Sequence, residues 1–418
     1  MAGMTMAEKV LARASGRERV AAGEFVEAKI DLAMIHEITG APSCLTLREL
    51  GIEKVWDPAR IVVFNDHAVP ADSEATATLQ KHLREFVGDY GILNFYDLRD
   101  GICHQVLAEK GHVLPGSLIV GTDSHSCTYG ALGAFSTGIG ATEMVQVFAT
   151  GRLWFKVPPT IKLVYIGQLP PGVTAKDMAL MTVGRLGADG ANYRGIEFAG
   201  PAVAGMGMSD RLTLCNMANE TGAKVGMVAA DGVTLDYLRD RARGQGEPVL
   251  PDADATYETT VEMDVSHLEP QVACHPAVEN VKPISEVAGK EIHQAFLGSC
   301  TNGRLEDLRQ AATVLKGRRI PRGVRMLVVP ASQEVYLAAI REGLIETFLE
   351  AGAVVTNPNC AACGGIHGGI MAQGEVCIAT TNRNFPGRMG RGTETYLASP
   401  SVVAASALAG KIADPRRL

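Results

Sequence analysis

Residues 323–365 read GVRMLVVPASQEVYLAAIREGLIETFLEAGAVVTNPNCAACGG. Val324 to Val329 is a short apolar run, rich in β-branched residues and bounded by Gly323 and Pro330, the pattern of a buried strand. Ser332 then offers a helix N-cap, because its hydroxyl can accept from a first-turn N–H. Val335, Tyr336, Ala339, Ile340, Ile345, Phe348 and Leu349 recur mostly at three- and four-residue spacing, which predicts one helix running to a stop at Gly352. Ala353-Val354-Val355 returns to strand. Such a β-α-β alternation predicts an α/β fold with a parallel sheet, whose ligand-binding rim lies at the carboxyl ends of the strands. The residues after Val355, Cys360 and Cys363 among them, fall at that rim.

Toward the N-terminus, the strand candidate Ile292 to Leu297 leads into Gly298-Ser299-Cys300-Thr301-Asn302-Gly303-Arg304. Leu305, Leu308, Ala312 and Leu315 then mark an amphipathic helix, so Cys300 sits on a strand-to-helix turn near free backbone N–H groups. A CxxC pair on one rim loop and a third cysteine on another can converge on one centre, because both loops leave the same sheet edge. Small neighbours let backbone amides approach sulfide and thiolate. Three thiolates would leave one iron of a cubane cluster open, and an open metal can act as a Lewis acid. Cys300, Cys360, Cys363 and His367 also suit a closed zinc site, and the CxxC by itself suits a redox pair.

The chain has 418 residues, too many for one ordinary core. Val157-Pro158-Pro159-Thr160 precedes a fresh strand-like run, Ile161 to Ile166, and His275 to Lys290 reads as a surface connection. The expected units are 1–157, 158–280 and 281–418, the last carrying the cysteines. Hydrophobic residues at 46% and charged residues at 20% fit a compact globular chain. The net charge of -7 gives no basic face for nucleic acid, so an anionic substrate must be held by local arginines and histidines. No run of about 18 apolar residues offers a membrane span, and the first twenty residues are no secretory signal, so a cytoplasmic location is expected. Nine cysteines without an export signal argue against a disulfide framework. Cys44, Cys103, Cys127, Cys215, Cys274 and Cys377 read as small buried hydrophobes.

Polar clusters follow other strand candidates. Asn65-Asp66-His67 comes after Ile61 to Phe64, and Thr122-Asp123-Ser124-His125 comes just after Ser117 to Val120, with Ile102-Cys103-His104-Gln105 between them. Aspartate and histidine side by side can relay protons or orient a metal-bound water. Asn382-Arg383-Asn384-Phe385-Pro386-Gly387-Arg388 follows strand-like Val376 to Ala379, and two arginines there can clamp carboxylates in bidentate fashion. Helical spacing would put Asn216 and Glu220 on one face.

Taken in order, Asp66-His67, His104, Asp123-Ser124-His125, Asn216 to Glu220, Gly298 to Arg304, Cys360 to Cys363 and Asn382 to Arg388 resemble the aconitase superfamily, in particular the large subunits of isopropylmalate dehydratase and homoaconitase. The resemblance runs across nearly the whole chain and displaces the zinc reading. It implies three α/β domains around a [4Fe-4S] cluster held by Cys300, Cys360 and Cys363. The implied activity is hydro-lyase isomerisation of a hydroxy di- or tricarboxylic acid, 2-isopropylmalate to 3-isopropylmalate in leucine biosynthesis. Asp66, His67, His104, Asp123 and His125 would form the acid–base and water-handling network, with Glu220 among the catalytic groups. Asn216 and Glu220 would contact the cluster-bound oxygen species. Ser124, Asn382, Arg383 and Arg388 would hold substrate carboxylates and the cluster surroundings, and His36 lies where some relatives use a glutamine for substrate contact.

Single-chain aconitases continue into a fourth, swivelling domain that carries a serine base. This chain stops at Leu418, so a separate small subunit is expected to bring that base, and the site would be active only with it. Ala361 and Gly364 depart from the glycine or serine and the bulky residue that many relatives carry after the two CxxC cysteines, while the three ligands are intact. Homoaconitase and dimethylmalate or maleate hydratase large subunits share the same motifs and are the alternatives. A cluster-based iron sensor binding RNA is the alternative from another class, and the acidic balance disfavours it.

Overall fold

The computed structural model describes residues 3–418. Three parallel or mostly parallel sheets carry the architecture, and each is wound outward from a central strand in both directions. In the first, Leu32–His36 is flanked by Ile61–Phe64 and then Asn94–Tyr96 on one side, and by Leu118–Gly121 and then Phe135–Gly138 on the other. Chain order reverses between Leu32–His36 and Leu118–Gly121, and that reversal opens a crevice at their carboxyl ends. The second sheet has Thr160–Ile166 between Gly195–Ala199 and Thr259–Asp264, with Val225–Val228 outermost. An antiparallel ribbon of Phe25–Lys29 and Arg152–Lys156 stands apart from these.

The third sheet repeats the winding. Gln294–Leu297 has Arg325–Val328 and Val354–Val355 on one side, and Val376–Ala379 and Glu394–Leu397 on the other, all parallel. Gln271–Ala273 and Val281–Pro283 extend it antiparallel, so this sheet begins at Gln271. The stretch expected as a surface connection thus holds an edge strand and a short helix, Ile284–Val287. Apolar anchoring overrides its polar composition: Ile284 is fully buried.

Two helices also differ from expectation. The periodic run after Ser332 is two helices, Gln333–Arg341 and Leu344–Ala351, because Gly343 turns left-handed at φ 72° and breaks the hydrogen-bond ladder. Ser332 does cap the first, accepting from the Val335 N–H at 3.2 Å. The helix Met208–Met217 tightens into a 3₁₀ turn over Ala218–Thr221, so Asn216 and Glu220 do not share one α-helical face.

One continuous apolar cluster joins the three sheets, taking Phe64 and Tyr129 from the first unit, Tyr165 and Phe198 from the second, and Phe296 and Leu397 from the third. Each fully buried side chain of this kind contributes about 1.5–3 kcal/mol. A shared core fixes the rims of the sheets relative to one another. Among the described residues, no helix is long and apolar enough to cross a membrane.

Candidate active site

The crevices of the first and third sheets open into one cavity of about 350 Å³. Its walls include His36, His67, His104, Asp123, Ser124 and His125 from the first sheet, and Cys300, Cys360, Cys363, Asn382, Arg383 and Arg388 from the third. Asp66, Asn216 and Glu220 do not line it and stand one layer behind. Three larger clefts, of about 630, 660 and 450 Å³, bring no cysteines together.

Asp123 organises the first wall. Its Oδ1 lies 2.7 Å from His104 Nε2 and accepts the His125 N–H at 2.7 Å. Its Oδ2 faces His36 Nε2 at 3.5 Å and His67 Nε2 at 3.8 Å. The His36 and His67 rings stack at 3.7 Å, and His67 Nδ1 meets Asp66 Oδ1 at 2.8 Å. His125 Nε2 meets Glu220 Oε1 at 2.7 Å, and Arg383 donates to the same carboxylate at 3.1 Å and to Ser124 Oγ at 3.0 Å.

Burial alone would push these carboxylates up and these imidazoles down, but pairing mostly wins. Asp123 is held well below its usual range by His104, His125 and His36, against desolvation. Desolvation also opposes a charge on His67, yet Asp66, Asp123 and Glu37 hold it well above an ordinary histidine. His104 is the exception: desolvation outweighs Asp123 and lowers it, leaving a neutral imidazole. The first wall therefore holds a proton on His67 and an acceptor site on Asp123 within one hydrogen-bonded lattice.

The cysteine wall is built differently. Cys300 follows Gln294–Leu297, while Cys360 and Cys363 follow Val354–Val355, both at carboxyl ends of the same sheet. Asn216 and Asn382 donate amide hydrogens toward Cys300 Sγ at 3.4 and 3.6 Å. The backbone is strained beside the cysteines: Ser299 and Ala361 have φ of 78° and 46°, two of the three non-glycine residues with positive φ among those described. Gly298 cannot carry a side chain, since a Cβ there would meet Val329 Cβ at 2.8 Å. The walls meet where the Cys360 N–H donates to the His67 carbonyl at 3.0 Å. The neighbouring Cys360 thiol does most to hold the Cys363 thiol down, against burial, with Arg388 adding to it.

These donors fit a polynuclear centre better than a single ion. A tetrahedral zinc with Zn–S near 2.3 Å needs sulfurs about 3.8 Å apart. The three Sγ atoms are not grouped within 4.8 Å, and among the described residues only His36, Glu37, Asp66 and His67 meet that spacing. That quartet is already hydrogen-bonded: Glu37 accepts the N–H groups of Asp66, His67 and Ala68 at 3.1, 2.8 and 2.9 Å, and Asp66 accepts from Cys103 at 2.6 Å. His367, the fourth ligand of the zinc alternative, lies outside the cavity wall. Arg388 Nε is buried without a partner beside the cysteines, a donor left for an anion. The other six cysteines are all buried.

Sequence reading missed three residues. Glu37 follows a strand end just as Asp66 does, and the same rule applied one position past His36 would have found it. Arg304 donates to the Cys300 and Thr301 carbonyls at 2.7 Å each and to Gln105 at 3.1 Å, clamping the cysteine turn. Lys176, fully buried, donates to the carbonyls of Thr380 and Thr381. As a lone lysine in a helix's first turn it gives no sequence signal.

The model of the "Aconitase family (aconitate hydratase)" matches residues 8–410. The chain is 57% identical to the "3-isopropylmalate dehydratase large subunit 1" of Methanopyrus kandleri, over 99% of each chain. It is 51% identical to the "Probable methanogen homoaconitase large subunit" of Methanosarcina mazei, over 94% of this chain and all of that one. Its fold is like the crystal structure of Thermococcus kodakaraensis aconitase X, with a TM-score of 0.50 at 12% identity over 90% of this chain and 89% of that one. The family implies an iron–sulfur cluster, which the three-cysteine wall suits, and with the match spanning nearly every residue that builds both walls, the chain belongs to the aconitase family.

Proposed function

We propose that this chain is the large subunit of a [4Fe-4S] hydro-lyase that interconverts 2-isopropylmalate and 3-isopropylmalate. The observation that carries the reading is one cavity with an Asp–His lattice on one wall and Cys300, Cys360 and Cys363 on the other. A cluster on those cysteines supplies an iron without a protein thiolate, a Lewis acid for the hydroxyl and a carboxylate of the substrate.

The chain's own residues do the rest. Arg388, with Nε unpaired, takes a substrate carboxylate, while Arg383 is tethered by Glu220 and Ser124 and orients the same end. His67 holds a proton at the cavity surface for the departing hydroxyl, and Asp66 behind it keeps the ring charged. Asp123 and His104 position water for readdition. Asn216 and Asn382 steady Cys300 through their amides.

A small partner subunit carrying a serine base completes the site in this reading. Support comes from relatives called large subunits, which this chain matches over almost their whole length. A cytoplasmic setting fits nine free cysteines, which a reducing compartment maintains. The homoaconitase relatives at 50–51% identity favour homocitrate as the second reading.

Turnover by the anaerobically reconstituted complex with its small partner tests this directly. Conversion of 2-isopropylmalate should exceed that of homocitrate, dimethylmalate and maleate. Preference for homocitrate would install the second reading, and no hydration chemistry with any of the four acids would overturn the hydro-lyase assignment.

A further inference from the structure

Lys176 lies in the first turn of the helix Ala175–Leu186, which belongs to the second unit, yet its ammonium ends beneath the cysteine wall of the third. It is fully buried and donates to the Thr380 and Thr381 carbonyls at 2.7 Å each, making no ion pair among the described residues. The nearest carboxylates are already engaged. Asp177 accepts from Thr174 and Gln271, and Asp307 accepts from Asn302 and Arg304.

A buried ammonium held only by carbonyls is costly unless an anion lies within reach. Desolvation accordingly pushes Lys176 down to about 7, with Asp307, Cys363, Cys300 and Asp177 pulling the other way. The carbonyls it grips lead straight to the sulfurs. The next residue, Asn382, donates toward Cys300 Sγ at 3.6 Å and to Thr301 Oγ1 at 3.0 Å, and the Cys363 thiol points at its Oδ1 at 3.8 Å. Thr380 Oγ1 in turn accepts the Gly298 N–H at 2.9 Å, tying this loop to the Cys300 turn.

We infer that Lys176 is a positioning residue for the cysteine site: it locks the Thr380–Asn382 loop under the sulfurs and supplies the buried counter-charge of the anionic, thiolate-bound group. The inference rests on the cluster reading above. A positive charge fixed in a low-dielectric interior favours the more negative state of a neighbouring redox centre and the retention of its thiolates. A lysine with a merely structural role would be replaceable by any neutral donor of similar length.

Two substitutions separate charge from hydrogen bonding: Lys176→Gln keeps a donor for the carbonyls without charge, and Lys176→Arg keeps the charge. The anaerobically reconstituted complex is read by the midpoint potential of its cluster and by iron release to a chelator. Lys176→Gln should shift the potential to more negative values and release iron about tenfold faster or more, while Lys176→Arg stays near the wild-type potential. A glutamine variant with wild-type potential and wild-type iron release would overturn the inference. Should that variant fail to fold, the arginine variant still decides, since a potential displaced as if charge had been lost contradicts the role. Wild-type protein without sulfide would instead overturn the cluster reading, before any variant is compared.

Discussion

The first and third sheets are wound alike, each reversing direction beside its central strand and each emptying its loops into the same cavity. Their rims nevertheless carry opposite chemistries. The first ends in imidazoles and carboxylates that satisfy one another: Asp66 with His67, His104 with Asp123, and His125 with Glu220. The third ends in thiols on strained turns, with Ser299 and Ala361 at positive φ and Arg388 Nε unpaired. Winding supplies convergence, and the residues just after each strand supply the chemistry. The Asp–His wall thus takes most of its hydrogen-bond partners from within the chain, Glu220 of the second unit among them, whereas the cysteine wall depends on the group it binds. The second sheet sharpens the point, because it serves the site through helices, by Asn216, Glu220 and Lys176, and not through its strand ends.

This contrast can be broken from either side. Cys360→Ser should have the largest effect, removing turnover altogether and lowering iron and sulfide content while leaving the Asp–His wall folded; unchanged activity would show that Cys360 is no ligand. On the other wall, Asp123→Asn removes the acceptor shared by His104 and the His125 N–H. It should lower kcat about 10²–10⁴-fold at unchanged cluster content, and loss of the cluster instead would erase the distinction between the walls.

Glu37→Gln is expected to act on stability as well. An amide in place of the carboxylate keeps an oxygen for the His67 and Ala68 N–H groups but turns its NH2 toward the Asp66 N–H, which loses its acceptor, costing about 1–3 kcal/mol in a denaturant titration. Because the same loop presents the His67 carbonyl to Cys360, iron retention should fall with it. Wild-type stability in this variant would mean that the 66–68 loop is held by something else.

The smallest effect belongs to the far edge of the first sheet. Asp97 accepts from Arg84 and Asn65, which hold it below the ordinary aspartate range despite desolvation. A depressed carboxylate stabilises the fold above its unfolded pKa of about 3.9, and the contribution fades as pH falls through the lower folded value. Asp97→Asn should therefore cost no more than about 1 kcal/mol at neutral pH, the pair being partly exposed, with the difference closing in acid. Melting curves against pH check the sign.

Strand-end reasoning from the sequence reached Asp66, His67, Asp123, His125, Cys300, Asn382 and Arg383, because a short apolar run followed by polar residues is a local signal. Asn216 and Glu220 came instead from helical spacing and the family resemblance, and the helix tightens before Glu220, so the two do not share the expected face. What it could not see was distance along the chain. Lys176 meets carbonyls 204 and 205 residues away, and Arg304 reaches Gln105 across 199. Neither pattern differs locally from a solvated helix terminus. The edge strand Val281–Pro283 was hidden by polar neighbours, and the break at Gly343 was masked by apolar periodicity that continues through it.

Cys300, Cys360 and Cys363 are proposed to hold an iron–sulfur cluster facing the Asp–His wall. Iron, acid-labile sulfide and zinc measured together in the anaerobically prepared wild-type chain test it most directly. About four irons and four sulfides per chain, without zinc, are predicted. Stoichiometric zinc with no sulfide would contradict the claim.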